Sequence, residues 1–201
     1  MSYSISPLTP VIKPALREVV VDIADILVTV DSSKNPYKNY KPGVGPYSES
    51  VLVEEIKNHM NKGKYRNQAS TQRTPDLLIR EKWAIEFKLA RPYGDNGREA
   101  ENWSVNLLHP YEGNQSLLGD CLKLIPLNIV EKKAVVAICY EHTPPRISVE
   151  PLLDSFELLA DKLKGISLSE RISETRKGLI HPVHQQLSVV AWEVFGYKKK
   201  R

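Results

Sequence analysis

Two short segments separated by three charged residues constrain this chain most: Thr74-Pro75-Asp76-Leu77-Leu78-Ile79 and Trp83-Ala84-Ile85-Glu86-Phe87-Lys88-Leu89. Successive side chains of an extended chain point to opposite faces, so Trp83, Ile85, Phe87 and Leu89 share one face. Ala84, Glu86 and Lys88 share the other. The apolar face belongs in a core, which leaves an acid and a base side by side opposite it. If Leu77 and Ile79 bury against that same core, the connection Arg80-Glu81-Lys82 sets an antiparallel register in which Asp76 faces Glu86. A slip of one residue sends Asp76 to the wrong side. In the matched register the two carboxylates have Cβ atoms about 4.5–5.5 Å apart. Two such groups repel unless a cation lies between them. Oxygen ligands with open positions suit Mg2+, with Mn2+ as a substitute, and such an ion also takes a substrate phosphate. Lys88 is then placed to reach an attacking water or the charge that develops on phosphorus, as metal-assisted phosphodiester hydrolysis requires. The alternative is plain: Glu86 and Lys88 also suit an ordinary polar strand face with a surface ion pair.

The rest of the chain sets the frame. Its 201 residues suit one domain with a sizeable core. Lys and Arg number 28 against 24 Asp and Glu, so the net charge is only +4, but the distribution is uneven. Residues 57–91 hold nine basic residues against three acidic ones, a net of +6. Such a window can track a phosphate backbone, or be a solvated face. Cys121 and Cys139 lie in apolar stretches and read as buried thiols of a reducing compartment. With no signal pattern at the N-terminus and with Asp22 and Asp25 interrupting the apolar run 19–30, a cytoplasmic location is expected.

Periodicity gives the element order. Val19, Val20, Ile23, Ile26, Leu27 and Val30 predict an amphipathic helix over 16–30. A Pro-, Gly- and Asn-rich loop follows, and Ser48 is placed to cap a second helix that Gly63 stops. Extended segments are expected at 65–70, 75–80 and 83–89, then an irregular stretch over 90–113. A helix over 114–125, a buried strand over 133–140, a helix over 151–164 and a last strand over 187–195 complete the α/β pattern.

Motif and order together resemble the PD-(D/E)XK nuclease superfamily, which includes restriction endonucleases, repair nucleases and junction resolvases. The motif here is Pro75-Asp76, nine residues, then Glu86-Phe87-Lys88. The resemblance spans about 48–140 and implies a restriction-endonuclease-like core, a small mixed β-sheet flanked by helices in the order αβββαβ. On that view the chain is a single nuclease-like domain over 1–201, with the helix 16–30 and the helix plus strand 151–196 as additions.

The resemblance further implies a glutamate from the helix before the first strand. Glu49 fits best, because Leu52, Val53 and Ile56 follow at spacings that anchor the helix, while Glu54 and Glu55 fit less well. Glu49 also suits a helix start on dipole grounds alone. A polar residue on the helix after the lysine strand is implied too, and Gln115 is its counterpart, or else an ordinary first-turn residue. Asp76, Glu86 and Glu49 would bind metal and Lys88 would act on the water. The implied activity is Mg2+-dependent hydrolysis of DNA as a restriction-type endonuclease, a homodimer if both strands are cut. A structure-specific, junction-resolvase-like nuclease and a non-catalytic DNA-binding protein on the same fold are the alternatives.

Lesser signals remain. The 90–113 stretch carries Arg91, Tyr93, Arg98, Trp103, His109 and Tyr111, which suit stacking on bases or holding phosphates, or a surface excursion. Lys64, Arg66, Arg73, Arg91 and Arg98 are the expected nucleic-acid contacts. His181-Pro182-Val183-His184 lacks zincin spacing and reads as a loop into the last strand, with His184 kept as a spare general base. The closing Lys198-Lys199-Lys200-Arg201 reads as a solvated tail.

Overall fold

The computed structural model describes residues 14–109 and 116–196. Helices α1 (Leu16–Ser32) and α2 (Glu49–Lys62) come first, then strands β1 (Ala69–Thr71), β2 (Leu77–Ile79) and β3 (Trp83–Ala90). The short α3 (Val105–Leu108), α4 (Leu117–Leu124), β4 (Lys132–Glu141) and α5 (Glu150–Lys162) follow, and β5 (Ile166–Leu168), β6 (Ile172–Lys177) and β7 (Gln186–Gly196) close the fold. The seven strands form one mixed sheet in the order β1-β2-β3-β4-β7-β5, with β6 also paired to β7.

Helix α1 forms where the sequence pattern places it, because Val19, Val20, Ile23, Leu27 and Val30 make one buried stripe while Asp25 stays in solvent. The Glu18 carboxylate accepts the Ala15 N–H at 3.1 Å and closes the first turn. Helix α2 begins one residue after Ser48, but the serine hydroxyl does not cap it. Tyr37 donates its hydroxyl to Ser48 Oγ at 3.2 Å instead. Gly63 stops α2, its N–H bonding the carbonyls of His59 and Met60. No described helix is long and apolar enough to cross a membrane.

The register of the first hairpin is the one the alternation demands. Leu77 pairs with Ile85 and Ile79 with Trp83, which sets Asp76 opposite Glu86 at the mouth of the ladder. Strand β4 runs parallel to β3, a connection that needs a crossover, and α4 lies within it. Strand β7 is antiparallel to β4, and its far edge is shared by β6 at residues 186–191 and β5 at 194–196. The last strand is therefore internal to the sheet.

The sheet separates two cores. On one side Trp83, Ile85, Phe87 and Leu89 join Val136, Ile138 and Val189 beneath α1 and α2. On the other, Val135, Ala137, Val190 and Trp192 pack with residues of α4 and α5. Glu86 and Lys88 are level with Val135 and Ala137 on the parallel neighbour, so they face this second core. That disfavours the alternative of an ordinary polar strand face: all eight residues of β3 are buried. Helices cover this side, so the acid and the base are enclosed by protein.

Three further departures are structural. The segment expected to be extended over 65–70 is mostly a turn. Strand β1 starts only at Ala69, where the Asn61 side chain of α2 brackets that residue's N–H and C=O at 2.9 and 2.8 Å. The irregular 90–113 stretch contains α3 and an isolated Tyr93–Glu99 bridge. Strands β5 and β6 were not foreseen, because neither is apolar enough to show a strand pattern.

Candidate active site

The hairpin mouth, the start of α2 and the first turn of α4 converge on the end of β3. Asp76, just before β2, turns its carboxylate inward, and Oδ2 accepts the Phe87 N–H at 2.8 Å. This bond fixes the carboxylate over the neighbouring strand beside Glu86. Glu86 is 4% exposed and its Oε1 has no hydrogen-bond partner among the described residues. Burial first, then the charge of Asp76 and a hydrogen bond shared with it, push the Glu86 carboxyl up to about 9. Asp120 adds to the shift and Lys88 opposes it. In the metal-free protein Glu86 therefore holds a proton at neutral pH, and that proton takes the place a cation would fill between the two carboxylates.

Lys88 is gripped on three sides. Its ammonium lies 3.1 Å from Glu49 Oε1 and 2.9 Å from Asp120 Oδ2, and donates to the Phe87 carbonyl at 2.6 Å. Burial works against the charge, but Glu49 and Asp120 outweigh it and hold the ammonium above its ordinary range. Glu49 itself is raised, mainly by burial, with Lys88 pulling the other way and Asp76 and Asp120 adding to the rise. The four carboxylates and the lysine thus form one electrostatic unit.

Of the expected site residues, Asp76, Glu86, Lys88 and Glu49 come together, and Glu49 is set apart from its two rivals. Glu54 pairs with Lys57 and Thr71, and Glu55 lies beside His59. Gln115 lies outside the described residues, as do Tyr111 and the terminal Lys/Arg cluster. The residue that α4 delivers to the site is Asp120, fully buried and also bound by Lys123 Nζ at 2.7 Å. It escaped the sequence reading because it sits among Leu117, Leu118, Cys121 and Leu124 on an apolar helix face. A charged residue inside an apolar stripe was the available signal. Ser116 positions that helix by accepting the Gly119 N–H at 3.0 Å.

Two clefts meet at Glu49. One, of about 490 Å³, is lined by Asp76, Glu54 and Thr71; the other, of about 630 Å³, by Leu89, Arg91, Trp103 and Asn106. Arg66, Arg73 and Arg98 are exposed, as a phosphate contact requires. Lys64 is instead paired with Asp22 of α1 at 2.6 Å, and Arg91 is half-buried, bonded to the Tyr47 carbonyl and set over the Tyr140 ring. Both thus have partners within the fold. His184 is likewise no general base for this site: it is 1% exposed and its Nε2 meets the Tyr93 carbonyl at 3.0 Å.

No protein-family model, curated protein or solved structure gives a significant match to the chain.

Proposed function

We propose that the protein is a Mg2+-dependent endodeoxyribonuclease of the restriction type, built on a PD-(D/E)XK-like core. The order α2, β1, β2, β3, α4, β4 supports that core, with α3 interposed. The observation that carries the reading is the pairing of half-buried Asp76 with buried Glu86, with Lys88 beside them held by Glu49 and Asp120. A structural ion pair alone would not need two carboxylates forced together, one protonated and with an unpartnered oxygen.

Asp76 and Glu86 fit a hard divalent cation: both offer oxygen, and Glu86 Oε1 is buried without a partner. The ion, when bound, supplies an activated water and neutralises charge on the scissile phosphate. Glu86 would hold the ion as the carboxylate, and Asp76 keeps its orientation through the Phe87 N–H. Glu49, whose Oε1 pairs with Lys88, would offer its second carboxylate oxygen to complete the ligand set. Lys88, held between Glu49 and Asp120, would meet the attacking water or the charge developing on the phosphate. Exposed Arg66, Arg73 and Arg98 would hold the DNA backbone, and a homodimer would cut both strands.

The test is a substrate panel: supercoiled, linear and branched DNA, each with Mg2+, Mn2+ or EDTA. The proposal expects metal-dependent cutting of duplex DNA into discrete fragments. Cutting confined to branched DNA would replace restriction with a resolvase-like role. Binding without cleavage in any metal would leave a non-catalytic DNA-binding protein.

A further inference from the structure

Away from the carboxylate site, three side chains from two loops meet in the interior: Asp95, His181 and His184. One ligand atom from each lies within 4.8 Å of the other two. His181 is fully buried, His184 is 1% exposed and the Asp95 side chain is 23% exposed. Asp95 Oδ1, His181 Nε2 and His184 Nδ1 all lack a hydrogen-bond partner among the described residues. Buried polar atoms are nearly always satisfied, so three orphans in one cluster call for a missing partner.

The hydrogen-bond pattern identifies that partner. His184 Nε2 is 3.0 Å from the Tyr93 carbonyl, which only accepts, so the ring proton sits on Nε2 and Nδ1 keeps its lone pair. That lone pair faces Asp95 Oδ1 at 3.6 Å. Two acceptors stand opposite each other with nothing between them. A ring nitrogen backed by a carbonyl at its other nitrogen is the usual orientation of a metal-binding histidine.

We infer that Asp95, His181 and His184 form a second metal site, selective for a borderline divalent transition metal such as Zn2+ over Mg2+. Two imidazoles and one carboxylate favour that class, and the partly exposed Asp95 side leaves room for a water as fourth ligand. Asp95 and His184 are the preset pair, at a spacing close to the edge of a zinc tetrahedron. His181 Nδ1 accepts two long N–H contacts, from Val183 and His184, both 3.3 Å, so its orphaned Nε2 is the nitrogen turned to the cluster.

The surroundings are cut to fit. A Cβ on Gly45 would fall 2.3 Å from His184 Nδ1, so only glycine leaves the approach to that nitrogen open. Gly43, with φ +122°, passes His181 in the same way. Asp31 of α1 ties the loops together by accepting the N–H groups of Val44 and Ile180, both at 2.8 Å. The ion would bind the segment after β3 to the loop entering β7, directly beside the loop that leads into Glu49. Its role would be to brace the wall of the carboxylate site. The inference does not depend on the nuclease reading.

The test is equilibrium binding of Zn2+ in excess Mg2+, with Co2+ as a spectroscopic probe, on the full chain. One Zn2+ per chain is expected. Co2+ should give the visible bands of a low-coordinate nitrogen-containing site, bleached by Zn2+. Asp95→Asn and His181→Gln should each weaken Zn2+ at least tenfold, while Glu86→Gln should leave it unchanged. Because His184 packs against Gly45, its replacement endangers folding, and Asp95→Asn is the decisive variant. Absence of Zn2+ and Co2+ binding at micromolar concentrations, binding indifferent to Asp95→Asn, or binding lost in Glu86→Gln would each overturn the inference.

Discussion

Glu86→Gln should make the metal-free protein more stable at alkaline pH while removing its capacity to bind Mg2+. The folded state raises the Glu86 carboxyl from an ordinary value of 4.5 to about 9. The sign follows directly. Below about pH 4.5 both folded and unfolded chains carry the proton, and the full stability is present. Between about 4.5 and 9 only the folded chain holds it, so stability falls by about 1.4 kcal/mol per pH unit as pH rises. At pH 7 the loss is at most about 3.5 kcal/mol, and about 2 kcal/mol once the site relaxes. Glutamine is isosteric, keeps a donor for Asp76 and cannot ionise. Urea unfolding in EDTA at pH 5 and pH 8 measures the difference. The variant should match wild type within about 0.5 kcal/mol at pH 5 and exceed it by about 2–3 kcal/mol at pH 8. In a domain of this size that is a rise in Tm of about 4–10 °C. Added Mg2+ should stabilise only the wild type. Equal differences at both pH values, or a variant less stable at pH 8, would refute the claim that two carboxylates are forced together here.

Asp120→Asn leaves Lys88 with Glu49 as its one charged partner; chemical denaturation should show a loss of about 2–3 kcal/mol, and cleavage should fall at least tenfold. Glu49→Gln should lower Mg2+ affinity, seen by calorimetry, with a smaller stability change of about 1 kcal/mol because Glu49 is the more exposed partner of Lys88. Asp31→Ala strands the buried N–H of Val44 and removes the acceptor of the more exposed Ile180 N–H, costing about 1–3 kcal/mol, and hydrogen exchange should speed up at both amides.

What could be read from the residues alone depended on periodicity. The two segments around Arg80-Glu81-Lys82 alternate cleanly, so their register, and with it the pairing of Asp76 with Glu86, followed from burying one face. Helix α1 and the internal strand β7 were legible for the same reason. Asp120 was not, since an aspartate in an apolar stripe acquires meaning only when Lys88 is seen to reach it. Neither was the enclosure of Glu86 and Lys88, because two-sided burial of β3 depends on α4 folding over it. Strand β6, Ile-Ser-Glu-Thr-Arg-Lys, alternates between half-buried and exposed and owes its form to the edge of β7. The partners of Lys64 and Arg91 were not legible either, because sequence shows neither Asp22 across the fold nor the carbonyl of Tyr47.

The measurement that tests the central claim most directly is single-turnover cleavage of supercoiled plasmid in Mg2+ by wild type, Glu86→Ala and Lys88→Ala, each checked for folding by circular dichroism. The account predicts metal-dependent cutting by wild type and a loss of at least a thousandfold in both folded variants, about 4 kcal/mol of transition-state stabilisation. Cutting that persists in either folded variant, or that survives EDTA, would contradict it.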